Sequence, residues 1–286
     1  MADHLFCMSL SVVIICKNNE STIGRTLESV AGLATEIVAL DSGSTDGTLA
    51  ILEHEGTRVE RVAWKGHIGT KQLALQAARC DWILSLDSDE SLEPDLADSI
   101  RDFLARDDGA VAAARINRKV WYAGRLLEYT WQPEWRLRLV RQSDVAAGLA
   151  RWGGLNPHDK LEVVYRDSHR PSDPARAERP PRIVNLPGTL RHDSFATMFD
   201  HLAGNLNHAR VSSESLAAAG VQGSYFKLLT SPVGAFAKQM ILKNAWRDGW
   251  RGWVAAASTA SNTLAKHMLL IEKTRLDKEQ EGRSHP

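Results

Sequence analysis

A chain of 286 residues has room for one large domain, or for a domain with an appendage, and for a full hydrophobic core. Its 43% hydrophobic and 24% charged residues are the composition of a folded globular protein, not of a disordered one. The 35 basic residues equal the 35 acidic ones, so no charge excess points to nucleic acid as a partner.

The opening "MADHLFCMSLSVVII" has no basic leader and no small-residue cleavage site, so it reads as the approach to a first strand and not as a signal peptide. "LSVVIIC" (10–16) is a continuous β-branched run of the kind a parallel sheet buries. In "NESTIGRTLESVAGL" (19–33), Ile23, Leu27 and Val30 recur at helical intervals. "EIVAL" (36–40) predicts a second strand, and "STDGTLAILEHEG" (44–56) a helix that starts at a Ser/Thr/Asp cap and stops at a glycine. "RVERVAW" (58–64) predicts a third strand, "GTKQLALQAAR" (69–79) a helix and "DWILSL" (81–86) a fourth strand. Pro94 then opens a helix through about Leu104. This alternation implies an α/β fold, a mostly parallel, Rossmann-like sheet covered by helices. Cys7, Cys16 and Cys80 are too widely spaced for a zinc pattern, and a reducing, cytoplasmic location fits them.

Beyond residue 110 the pattern loosens. "AVAAARI" (110–116), "EWRLRLV" (134–140) and "LEVVY" (161–165) read as strands, and the proline-rich, charged 166–183 as a loop. After Asp193 a helical pattern runs to about residue 273, with breaks expected near Gly220–Ser224 and at Pro232, followed by a polar tail. The division expected is a catalytic domain over 8–192 (halves 8–115 and 116–192), a helical extension over 193–274 and the tail 275–286.

In such sheets ligands bind beyond the carboxyl ends of the strands. "CKNNES", "DSGSTDGT" and "DSDES" follow three predicted strands and should face one crevice. Clustered carboxylates repel unless a cation sits among them. Asp87, Asp89 and Glu90 can share a divalent ion with substrate phosphates, or can simply sit at a helix N-terminus, where the dipole favours acids. Asp41 is harder to explain as a turn residue, since it ends an apolar strand. The glycine pattern here is neither a dinucleotide fingerprint nor a P-loop.

The order "SVVIICKNN", "EIVALDSGSTDGT", "DWILSLDSDES" resembles the nucleotide-binding half of the family 2 glycosyltransferases, which have the GT-A fold. "EWRLRLV", "GGLNPHDKLEV" and "LRHDSF" resemble the WaaE/KdtX-like glucosyltransferases of lipopolysaccharide core. The resemblance implies a nucleoside-diphosphate sugar donor, UDP-glucose by preference, and transfer with inversion. It sets Asp41 at the uracil or ribose, Asp87 near the ribose, and Asp89 on the Mg²⁺ or Mn²⁺ that holds the diphosphate. Lys71 falls where the family often has a basic residue near the pyrophosphate; otherwise it is a solvated helix lysine. Inversion needs a base for the acceptor hydroxyl, and the resemblance gives that part to Asp159, with His158 orienting it or the acceptor. His192 is a further candidate for metal or diphosphate, and Glu90 has no assigned part.

In "YFKLLTSPVGAFAKQMILKNAWRDGWRGW" (225–253), Lys227, Lys238, Lys243, Arg247 and Arg251 interleave with large apolar residues. Trp246, Trp250 and Trp253 share one helical face if Gly249 and Gly252 allow it. That pattern suits a membrane interface, or else a helical hairpin packed on the core. The subgroup resemblance implies a lipid-linked saccharide acceptor, such as lipopolysaccharide inner core, and a peripheral position on the inner face of the cytoplasmic membrane. No stretch of 18 apolar residues predicts a spanning helix. Two competing readings are a sugar nucleotidyltransferase, whose glycine-rich basic loop "CKNNEST" lacks, and an inactive carbohydrate- or membrane-binding relative.

Overall fold

The computed structural model describes residues 8–107, 109–155, 158–164 and 182–284. The chain forms two compact units, Met1–Lys119 with Glu134–Asp193, and Val120–Pro133 with Ser194–Pro286.

The first unit contains β1 (Leu10–Cys16), α1 (Ile23–Val30), β2 (Glu36–Asp41), α2 (Thr48–His54), β3 (Arg58–Arg61), α3 (Gly66–Ala77), β4 (Trp82–Asp87), β5 (Glu90–Leu92) and α4 (Pro94–Ala105). β6 (Val111–Tyr122) begins in this unit and ends in the second, where β7 (Arg125–Leu126) pairs with its last residues. The first unit resumes with β8 (Trp135–Arg141), α5 (Gln142–Ala146), β9 (Ala150–Leu155), β10 (His158–Val163) and β11 (Arg182–His192).

β1 lies inside the parallel part of the sheet, and all seven of its residues are buried. It pairs in parallel with β2 on one side and β4 on the other, with β3 parallel beyond β2. Because side chains alternate along a strand, its residues feed two core layers. Val12, Ile14 and Cys16 pack with Ile23, Leu27 and Leu52 on one face. Val13 and Ile15 pack with Ala74 and Leu75 of α3, and with Trp152 and Leu161, on the other. The parallel order stops at β4. β8 lies antiparallel beside it and β6 antiparallel beside β8, followed by β11 and then β5, which is antiparallel to β11. β9 and β10 form a separate antiparallel pair.

Several boundaries depart from the sequence reading. β3 ends at Arg61, and α3 starts earlier than expected, at Gly66. β6 runs on to Tyr122, and the strand expected at 161–165 spans His158–Val163. Of the expected loop 166–183, residues up to 181 lie outside the described residues, and Arg182 and Ile183 already belong to β11.

The second unit is helical: α6 (Met198–Ala218), α7 (Tyr225–Ala237), a π-helical turn Lys238–Leu242, a 3₁₀ turn Ala245–Asp248 and α8 (Trp250–Ser284). Thr197 and Asp200 cap α6 reciprocally, each side chain accepting from the other's backbone N–H. α6 and α7 both pack against α8. The break near 220 is present, whereas α7 runs straight through Pro232. α8 continues to Ser284, through the polar residues expected as a tail. No helix among the described residues is long and apolar enough to cross a membrane.

Candidate active site

The parallel register brings the polar strand ends together. Cys16 at the end of β1 faces Asp41 of β2, and Ile15 faces Asp87 of β4. The two aspartates thus flank the end of one buried strand.

Asp41 is almost fully buried, with 1% exposure. Its carboxylate accepts from the N–H groups of Gly43 and Ser44, at 3.0 and 3.1 Å, and from the Ser44 hydroxyl. Gly43 takes the turn at φ +91°, a conformation open to glycine and strained for most other residues. Burial, and then the Asp41 carboxylate, push the Cys16 thiol up to about 12, so it stays a neutral core group and not a nucleophile. Beside the Asp41–Ser44 turn opens a hollow of about 370 Å³, walled on its other side by Arg61, Val62, Ala63 and Trp64. Neither Arg61 nor Trp64 is singled out by sequence; they reach the turn because the Val62 N–H donates to the Asp41 carbonyl at 2.9 Å.

Asp87 lies between two cations. Lys71 Nζ is 2.6 Å from its Oδ1, and Arg138 Nη2 is 2.9 Å from its Oδ2. Burial opposes its charge, but Arg138 and Lys71 outweigh burial and hold the carboxyl well below the usual carboxylate range. Lys71 also donates to Asp159 Oδ2 at 2.8 Å. The lysine is 6% exposed, with its ammonium 4.5 Å from the centre of the Trp152 ring. It is therefore buried, and the reading of a solvated helix lysine falls. Asp159 belongs to β10, and its pairing opposite Gly154 of β9 carries it to α3.

Glu90 is wholly buried, and its carboxylate closes the network. It accepts from the Asp87 N–H at 3.1 Å, from Arg138 at 2.5 Å and from Arg118 at 3.2 Å. Arg118 in turn makes a two-point pair with Glu134, at 3.0 and 2.7 Å, and Arg136 joins the same carboxylate. The result is an alternating chain of charge: Asp159, Lys71, Asp87, Arg138, Glu90, Arg118, Glu134, Arg136. Such a chain meets the requirement that buried charges be paired. The sequence hint for Arg138 is the alternation in "EWRLRLV", which puts arginines opposite the apolar face of a strand.

Asp89 is turned away from this chain. Its Oδ2 is 3.3 Å from His192 Nε2, and its backbone carbonyl accepts from the Asp193 N–H at 2.8 Å. Among the described residues no three His, Cys, Asp or Glu side chains cluster as a complete metal centre. An acid and an imidazole together still match the donor set for a divalent ion whose other ligands are phosphate oxygens. Asp87, with each oxygen on a cation, is not placed to add a third. His158 opens β10, but its side chain lies outside the described residues.

Comparison with known proteins agrees with this geometry. Residues 11–144 match the family described as Glycosyl transferase family 2. The lipopolysaccharide core biosynthesis glycosyltransferase LpsC of Rhizobium meliloti (strain 1021) is 26% identical over 263 residues, covering 88% of each chain. An uncharacterized glycosyltransferase of Rickettsia typhi (strain ATCC VR-144 / Wilmington) is 27% identical over 248 residues, 86% of this chain and 80% of that one. Among solved structures, the mannosyltransferase PcManGT of Pyrobaculum calidifontis, in complex with GDP-Man and Mn²⁺, shares the fold. It superposes with a TM-score of 0.52 at 13% identity, over 96% of this chain and 88% of that one. Strand order, clustered strand-end acids and this kinship agree: residues 11–144 carry the match to Glycosyl transferase family 2, and the protein is a glycosyltransferase of the GT-A fold.

Proposed function

We propose that the protein transfers a hexose, with inversion, from a nucleoside-diphosphate sugar to a lipid-borne saccharide. The donor is UDP-glucose, and the acceptor is of the lipopolysaccharide inner-core type, met at the inner face of the cytoplasmic membrane. The observation that carries the reading is the Lys71 bridge, a single ammonium 2.6 Å from Asp87 and 2.8 Å from Asp159. It joins a carboxylate assigned to the donor with one assigned to the acceptor. The name of LpsC supports the acceptor class.

In this mechanism Asp41 and the hollow beside it take the nucleoside, and Asp87 takes the ribose. Lys71 belongs to the donor side through Asp87 and holds Asp159 by Oδ2. Oδ1 of Asp159 is then the oxygen that removes the acceptor hydroxyl proton as the hydroxyl attacks the anomeric carbon. Asp89, with His192, would hold Mg²⁺ or Mn²⁺ on the donor diphosphate. When bound, such an ion neutralises the charge that grows on the leaving nucleoside diphosphate.

The test is a panel of nucleoside-diphosphate sugars with lipid-linked core acceptors, wild type beside Asp159→Asn. UDP-glucose should give the fastest transfer and the product the inverted anomer. Asp159→Asn should lower kcat by about 10²–10⁴-fold while UDP binds as before. A retained anomer, or full activity in the variant, would remove Asp159 from its role.

A further inference from the structure

We infer that the segment from α7 to the first turns of α8 is a preformed docking surface for a bilayer rich in anionic lipid. This deepens the proposal of a lipid-borne acceptor and rests on it only for biological setting; the surface itself is argued from the second unit alone.

Nine large apolar side chains between Tyr225 and Trp253 stand in solvent, from 54% exposure for Trp253 to 74% for Phe226. On α7, Phe226, Leu229 and Val233 are spaced three and four apart and make one stripe; no residue of this helix is fully buried. Ile241, Leu242, Trp246 and Trp250 carry the apolar surface round the π and 3₁₀ turns. Isolated exposed apolar residues are ordinary, whereas nine within one 29-residue segment, with a stripe along α7, mark an interaction surface. A hairpin that packed its tryptophans on the core would have buried them.

The charge is equally one-sided. Lys227, Lys238, Lys243, Arg247 and Arg251 lie in the same segment, and Lys227, Lys238 and Arg247 are exposed. Between Glu214 and Glu272 the sequence has one acid, Asp248. Its carboxylate is buried, and accepts from the N–H groups of Glu128, Tyr129 and Thr130 at 2.9, 3.1 and 2.7 Å and from the Thr130 hydroxyl at 2.7 Å. The outward field is therefore cationic, and the same bonds fix the corner before any ligand arrives. The three tryptophans are not on one helix, because Gly249 does not meet the condition that a shared face required. Gly249, at φ +64°, ends the 3₁₀ turn and sets Trp246 apart from Trp250 and Trp253 on α8.

Charge decides the occupant. A second copy of the chain in a two-fold pair would set this cationic surface against itself, and like charges would repel. Acyl chains and anionic headgroups satisfy the apolar and the basic residues together, and tryptophan prefers that boundary.

The experiment is flotation of the full chain with vesicles of phosphatidylcholine alone and of phosphatidylcholine with phosphatidylglycerol. Binding should require the anionic lipid, fall with added salt and shift tryptophan emission to the blue. Lys227→Gln with Lys238→Gln should weaken it by about twenty-five-fold, at about fivefold per cation lost. Trp246→Ala with Trp250→Ala should weaken binding and reduce the blue shift to what Trp253 alone contributes, while UDP binding and circular dichroism stay as in wild type. Protein that stays unbound on anionic vesicles, or that binds neutral vesicles equally well, overturns the inference. So does light scattering that shows the surface consumed in a dimer. Flotation needs no transfer, so a mistaken donor or acceptor would leave its result unchanged.

Discussion

Lys71 sits where two assignments meet. Its ammonium has three N–H bonds; two carboxylates and the face of Trp152 surround it. A lysine so occupied is better suited to fixing Asp159 than to gripping a diphosphate. Lys71→Met should therefore lower kcat by at least about tenfold and change UDP affinity much less, since Asp87 keeps its pair with Arg138. Calorimetry with UDP beside steady-state kinetics separates the cases. Lost UDP affinity with kcat preserved would make Lys71 a diphosphate ligand instead. The placing of Asp41 and Asp87 at the ends of β2 and β4 was legible, because each closes a short apolar run; Asp89, in the turn after β4, and Asp159, inside β10, took their assignments from the resemblance alone. The pairings of Arg138 and Arg118 were not legible. Their partners are fixed by the antiparallel register of β8 against β4 and β6, where Leu84 faces Leu139 and Ala114 faces Leu139 from the other side. Those contacts join segments more than 20 residues apart, and no local pattern encodes them. Glu90, which had no part to play from sequence, is the buried counter-ion of both arginines.

At the scale of elements, the nucleotide-binding half was readable because its strands are short apolar runs and its helices show clear periodicity. α1 buries Ile23, Thr26, Leu27 and Val30, one face at 3.6-residue spacing. The turn to antiparallel order after β4 was hidden, since strand direction is set by the long connections and not by the runs themselves. In the second unit local rules misled at Pro232, because an exposed helix with solvent on its outer face tolerates one missing N–H bond. Gly252 shows the opposite case, a residue whose meaning only packing reveals. A Cβ built there would fall 1.7 Å from the Ala245 carbonyl oxygen. Only a bare Cα lets the 3₁₀ turn lie against α8. Gly252→Ala should push the two apart and cost about 1–3 kcal/mol, as overpacking does. Urea unfolding of the full chain would measure it, and vesicle binding should weaken in parallel as the corner loses its shape. An unchanged midpoint would mean that the turn is not held by this contact.

Across the whole molecule the two units hold different kinds of titratable group, and acid should therefore undo them at different pH. In the first unit Asp87, Glu134, Glu36 and Asp81 all have carboxyls held below their ordinary values by cations or hydrogen bonds. Their unfolded forms take up protons first, near pH 4, so the stability they contribute is complete above that point and is lost as pH falls through it. In the second unit, burial lowers the pKa of both His201 and His267. His201 lies in an apolar cluster, 2.9 Å from the Tyr122 hydroxyl and 2.8 Å from that of Ser258, with Phe195 stacked on its ring. A neutral ring satisfies both hydroxyls as one donor and one acceptor. The unfolded histidine binds a proton near pH 6.5 and the folded one does not, so here stability begins to fall below about 6.5. Hydrogen exchange, corrected for its intrinsic pH dependence, should show α6 and α8 losing protection between about pH 6.5 and 5, while β1 and β4 stay protected to about pH 4. His201→Gln, which cannot take up a proton, should move much of the upper loss down toward the lower one. A single transition near pH 4 in both units would mean that the buried histidines contribute nothing to the acid response. Two transitions would give the second unit, and with it the basic apolar surface, a sensitivity to mild acid that the paired carboxylates of the first unit do not share.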